Sequence, residues 1–127
     1  MRADQILHPT PAGLYCPPGD FYIDPVRPVH RALITHGHGD HARSGHGAVL
    51  ATRQTLEIMA IRYGEDFAGQ RQAADGPLRV GDTTVSFHPA GHILGSAQIA
   101  VQPDRGPKIV VSGDYCRHPN PVSAPYE

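Results

Sequence analysis

Residues 33–41 read Leu33-Ile34-Thr35-His36-Gly37-His38-Gly39-Asp40-His41, an apolar run that opens into three histidines and an aspartate. A strand predicted over 32–35 ends there, and His36, His38, Asp40 and His41 follow on the emerging loop. In an extended chain, side chains at i, i+2 and i+4 point the same way. His36, His38 and Asp40 therefore share one side, while His41 points elsewhere unless the loop turns. Imidazole nitrogens and a carboxylate oxygen are the donors that zinc takes in catalytic sites. Gly37 and Gly39 let the backbone fold closely around an ion, at an ordering cost of about 0.5–1 kcal/mol each relative to alanine. A lone His-x-His reads as polar surface. Four donors crowded at the mouth of a strand read as a metal site.

Working outward, short apolar runs separated by turn signals predict strands at 13–15, 21–23, 32–35, 49–51, 78–80, 83–88, 97–101 and 108–112. Pro17-Pro18-Gly19-Asp20 reads as a hairpin turn, and Gly81-Asp82 as another. Leu56, Met59, Ala60 and Tyr63 recur at helical spacing, with Thr52 as N-cap and Gly64 as the stop. That stripe reads as core. The polar segment 65–76 has no clear period and reads as a loop. Strands, one central helix and more strands make an α+β arrangement of mostly antiparallel or mixed sheets with helical cover. The strand at 108–112 is followed only by a polar, proline-rich tail, which predicts an apolar sheet face without a second layer.

At 127 residues the chain has the length of one domain. Hydrophobic residues at 39% and charged residues at 18% exclude a disordered, solvating chain. Fourteen glycines and thirteen prolines argue against a helical bundle. The formal charge of −1 supplies no global positive field to draw in nucleic acid, so such binding must be local. The N-terminus lacks the apolar core of a secretory signal, and no apolar run is long enough to span a bilayer. Cys16 and Cys116 form no CxxC pattern and read as free thiols of a reducing cytosol rather than a disulfide. The expected location is cytoplasmic.

His-x-His-x-Asp-His after a strand resembles the signature of the metallo-β-lactamase superfamily of two-metal hydrolases. Other motifs of that superfamily follow in order. Asp24, in Phe-Tyr-Ile-Asp-Pro, is similar to the aspartate that closes a strand beneath the metal loop. His92, in Ala-Gly-His-Ile-Leu-Gly-Ser-Ala, is similar to the third histidine of the first metal site. Asp114, in Val-Ser-Gly-Asp-Tyr, is similar to the bridging carboxylate. The wording around His92 resembles the β-CASP nuclease branch, whose members process RNA 3′ ends or repair DNA. The opening Gly-Leu-Tyr-Cys-Pro-Pro-Gly-Asp-Phe-Tyr-Ile-Asp-Pro is most like the bacterial DNA-ligase-associated exonucleases, also described as mRNA 3′-end processing factors.

The resemblance implies an αββα sandwich in which His36, His38 and His92 hold one zinc, Asp40 and His41 the second, and Asp114 lies between them. Asp40 and Asp114 would then be the carboxylates of the reacting centre, and Asp24 would orient the histidine loop. A hydroxide shared by two ions would attack a phosphodiester of DNA or RNA, with an exonuclease the expected type and a DNA ligase a functional associate. Family members continue with the second half of the sandwich and a β-CASP insert, so 1–127 is expected to be the N-terminal portion, with an incomplete second zinc site. Two other readings stay open: a lactam or thioester hydrolase using the same ions, or a metal-binding module that is not itself catalytic. Ser96 and Cys116 read as packing residues. His8, His30, His46, His88 and His118 read as turn residues, with Arg43 and His46 on a solvated loop. Arg27, Arg31, Arg53 and Arg62 show no pattern that defines a patch.

Overall fold

A computed structural model describes residues 2–37, 42–89 and 97–111. The elements are α1 (Ala3–Ile6), β1 (His8–Pro9), β2 (Leu14–Cys16), β3 (Phe21–Ile23), β4 (Arg31–Leu33), β5 (His46–Ala51) and α2 (Arg53–Tyr63). They continue with β6 (Ala68–Ala73), β7 (Leu78–Val80), β8 (Thr83–Pro89), β9 (Ala97–Pro103) and β10 (Ile109–Val111). Six strands form one sheet in the order β1-β2-β3-β4-β5-β6, and four form a second in the order β10-β9-β8-β7.

Both expected turns are present. Cys16 pairs with Phe21 across the Pro-Pro-Gly-Asp turn, where Asp20 takes a φ of 55°. Val80 pairs with Thr83 across Gly81-Asp82, where Gly81 supplies the positive φ of 56° that a two-residue link requires. The first sheet starts antiparallel, but β3, β4, β5 and β6 then run parallel to one another. Parallel strands are buried on both faces, and Ala32-Leu33-Ile34 and Val49-Leu50-Ala51 are continuous apolar runs for that reason.

Alternation along those strands builds two cores. Cys16, Phe21, Ile23, Leu33 and Leu50 face the second sheet and pack with Val80, Val85, Ile99 and Val101, with Ile6 of α1 in the same cluster. Ala32, Ile34, Val49 and Ala51 face the other way, onto Leu56 and Met59 of α2 and onto Phe67. The described residues therefore form three layers: helix, sheet, sheet. Helix α2 starts as expected, with the Thr52 hydroxyl accepting from the Thr55 N–H, and it ends at Gly64. It is the one helix longer than a single turn among the described residues, so strands dominate and a full helical cover is not present among them. Among the described residues no helix is long and apolar enough to cross a membrane.

Three expectations are corrected. Segment 65–76 is not all loop, because Ala68–Ala73 forms β6, parallel to β5. As the edge strand it leaves most of its side chains exposed, so backbone hydrogen bonds hold it and no apolar alternation marks it. Among the described residues the outward face of the second sheet is mixed rather than apolar. Thr84, Ser86, His88, Gln98 and Gln102 share it with Ala100 and the half-exposed Val110, while Val85, Ile99 and Val101 point inward. His46 is no loop residue either: it opens β5 and is 1% exposed.

The Nδ1 of His46 accepts the Val29 N–H at 3.1 Å, so its proton sits on Nε2. Burial pushes this imidazole below its ordinary pKa. The folded state thus holds His46 neutral, while the unfolded chain takes up a proton below about pH 6.5. The stability this contributes is complete above that pH and is lost as the pH falls, at up to about 1.4 kcal/mol per pH unit for one group. Urea unfolding across pH 7.5 to 5 is expected to show this loss, and His46→Gln to flatten it. An unchanged slope in the variant contradicts the assignment.

Candidate metal centre

Strand β4 carries the chain into the interior at Ile34, Thr35 and His36, each 0% exposed. Beneath them, the chain leaves β3 at Asp24 with a φ of 47°, a left-handed turn that aspartate tolerates better than most residues. That turn aims the carboxylate at Thr35. Oδ1 accepts the Thr35 N–H at 2.8 Å, and Oδ2 accepts the Thr35 hydroxyl at 2.6 Å. The Asp24 N–H also donates to the Leu33 carbonyl at 2.9 Å.

Thr35 Oγ1 lies 3.0 Å from His36 Nδ1. A hydroxyl has one hydrogen, and here Asp24 receives it; a carboxylate has none to return. The Nδ1–H of His36 must therefore donate to Oγ1, which places the ring's lone pair on Nε2. A chain of hydrogen bonds from Asp24 through Thr35 sets the tautomer a metal ligand needs.

The second sheet approaches the same place. The Ala97 N–H, at the start of β9, donates to the Thr35 carbonyl at 2.7 Å. Pro89 and Ala97 are register partners, so the segment that carries His92 leaves and re-enters the sheet beside Thr35. Strand β10 runs antiparallel to β9 and ends with Val111 opposite Ile99, three residues before Asp114. The described strands thus bring the flanks of all three candidate motifs to one end of the sandwich.

Of the expected site residues, Asp24 and His36 are described, and the carboxylate of the first reaches the ring of the second through Thr35. His38, Asp40, His41, His92 and Asp114 lie outside the described residues. Among the described residues no group of three or more histidines, cysteines, aspartates or glutamates could hold a metal. Cys16 is a buried thiol of the core, bonded to no other cysteine among the described residues, and burial pushes its pKa up. Cys116 and Ser96 lie outside them. A cavity of about 590 Å³ bordered by Arg31, Leu50, Gln70, Gln72 and Arg79 contains no candidate ligand.

Residues that the sequence pattern did not mark also reach this region. Thr35 is the link in the hydrogen-bond chain, although it reads simply as the last residue of a strand. Tyr63, assigned above to the core, is 36% exposed and donates its hydroxyl to the Ala42 carbonyl at 2.8 Å. Arg62 donates from Nη1 to the Gly37 carbonyl.

No family model matches the sequence. The chain is similar to a ribonuclease of Thermus thermophilus, with 32% identity over 120 residues, 74% of this chain and 27% of the ribonuclease. It is also similar to a probable DNA ligase of Opitutus terrae, with 29% identity over 110 residues, 81% of this chain and 10% of that protein. The chain therefore spans about a quarter and about a tenth of the length of these relatives. Among solved structures it is similar to the flavodiiron protein of Giardia intestinalis at a TM-score of 0.48 and 24% identity, over 56% of this chain and 20% of the other. A likeness of that extent does not define a fold.

Proposed function

We propose that the chain carries the histidine-rich part of a metal-dependent nuclease centre of the metallo-β-lactamase type. The observation that carries this reading is the Asp24–Thr35–His36 chain of hydrogen bonds, which presents Nε2 of a buried histidine as a donor at the start of the His-x-His-x-Asp-His tract. The order of the remaining motifs supports it, as does similarity to a protein named a ribonuclease.

The donor set fits zinc, being all nitrogen and oxygen with one imidazole already fixed in tautomer. His36, His38 and His92 would hold one ion, Asp40 and His41 a second, with Asp114 between. Two such ions supply an acidified water and a counter-charge for the phosphoryl oxygens of a phosphodiester. The protein's own part is to hold the ligands. Thr35 keeps the proton on Nδ1 of His36, and Asp24 keeps Thr35 from rotating. We read the substrate as DNA or RNA cut from an end, in the cytoplasm, with a DNA ligase as functional associate.

Parallel assays on single-stranded DNA, single-stranded RNA, a thioester and a chromogenic lactam test the reading. Cleavage of nucleic acid that is lost with a chelator and in His36→Ala is the expected result. Turnover of only the thioester or the lactam overturns it.

A further inference from the structure

We infer that the C-terminal turn of α2 positions the histidine loop, through Arg62 and Tyr63, and so sets its affinity for metal. The inference rests on the metal-centre reading above and assigns a role to two residues outside the proposed ligand set.

The argument starts from the two stems of the loop. Gly37 and Ala42 flank the four residues that contain His38, Asp40 and His41. Strand β4 has ended at Leu33 and β5 does not begin until His46, so the carbonyls of 37 and 42 lie outside the sheet ladder. Both are taken up by side chains of adjacent residues on one helix. The Arg62 guanidinium donates to the carbonyl of Gly37, and the Tyr63 hydroxyl donates to that of Ala42 at 2.8 Å. The Arg62 head group also lies 5.9 Å from the centre of the Tyr63 ring, so each side chain helps to orient the other.

The helix that carries them is well fixed. Leu56 and Met59 anchor it in the core, and Thr52 caps its start. Ile58, one turn before Arg62, closes on Gly37 so tightly that an added Cβ there would meet its Cγ2 at 2.8 Å. Glycine has more backbone freedom to lose on ordering than any other residue, and the contact with Ile58 bears directly on Gly37. Holding both stems to one rigid element removes part of that freedom in advance, which makes Arg62 and Tyr63 positioning residues.

The test compares Tyr63→Phe, Arg62→Gln and the double variant with the unaltered chain. Zinc affinity is read by competition with a chromogenic chelator, and thermal unfolding is measured without metal. Groups that support metal ligands typically change affinity by about 10–100-fold when removed. Each single variant is expected to bind zinc about tenfold more weakly, with the metal-free melting curve unmoved. Arg62→Lys, which keeps a charged donor, is expected to recover part of the loss. Equal affinity in all variants overturns the inference. So does an affinity loss matched by a lower metal-free melting temperature, which marks a merely structural role. Failure of the unaltered chain to bind zinc is a different result: it overturns the metal-centre reading and this inference with it.

Discussion

Thr35→Val is expected to weaken zinc binding by about 10–100-fold, although residue 35 is outside the proposed ligand set. Valine keeps the shape of threonine and loses the oxygen that joins Asp24 to His36. Without it Nδ1 of His36 loses the acceptor that favours this tautomer over the one with the proton on the nitrogen that a cation needs. The substitution also removes the two hydrogen bonds that Thr35 Oγ1 makes to Asp24 and to His36, and the loss of such a bond costs about 0.5–1.5 kcal/mol. Titration with a competing chelator reads the first effect and urea unfolding the second. Thr35→Ser keeps the hydroxyl and is the control, expected to stay near the unaltered chain in affinity. A valine variant that binds zinc as tightly as the threonine protein means that Thr35 does not set the tautomer.

Phe21→Ala is expected to cost about 3–5 kcal/mol of stability. The Phe21 side chain is 0% exposed and lies in the core between the two sheets, with Leu33, Leu50, Val85 and Ile99 in the same cluster. A typical domain is stable by only about 5–15 kcal/mol, so the variant should lose a large share of its folded population. Ile61→Ala provides the contrast. Ile61 is 87% exposed on α2, and its truncation should change stability by less than about 0.5 kcal/mol. Urea midpoints measured side by side decide the matter. A Phe21 variant as stable as the Ile61 variant shows that the two sheets do not share this core.

The sequence pattern was most legible where burial dictates residue type. The apolar runs at 32–34 and 49–51 became β4, β5 and their immediate continuation, and the Leu56–Met59 spacing became α2 because one face of that helix is core. Strand β6 was illegible because an edge strand with both faces near water needs no apolar period. His46 misled for the opposite reason, since a polar residue between two glycines looks solvated until the chain is seen to bury it against Val29.

At the candidate site, the metal reading of the histidine tract rests on donor chemistry, and His38, Asp40 and His41 lie outside the described residues. Asp24 was found through family resemblance, and the structure supplies the reason for its place: two hydrogen bonds to Thr35 from a left-handed turn. Thr35 itself, Arg62 and Tyr63 act through backbone carbonyls and a single hydroxyl. Such contacts depend on where the chain returns in space, and no local spacing encodes them.

X-ray absorption at the zinc edge, on the zinc-loaded chain and on His36→Ala, tests the central claim most directly. The account predicts a shell of nitrogen and oxygen at about 2.0–2.1 Å with imidazole scattering that diminishes in the variant. A shell dominated by sulfur at about 2.3 Å, or a chain that retains no zinc, contradicts it.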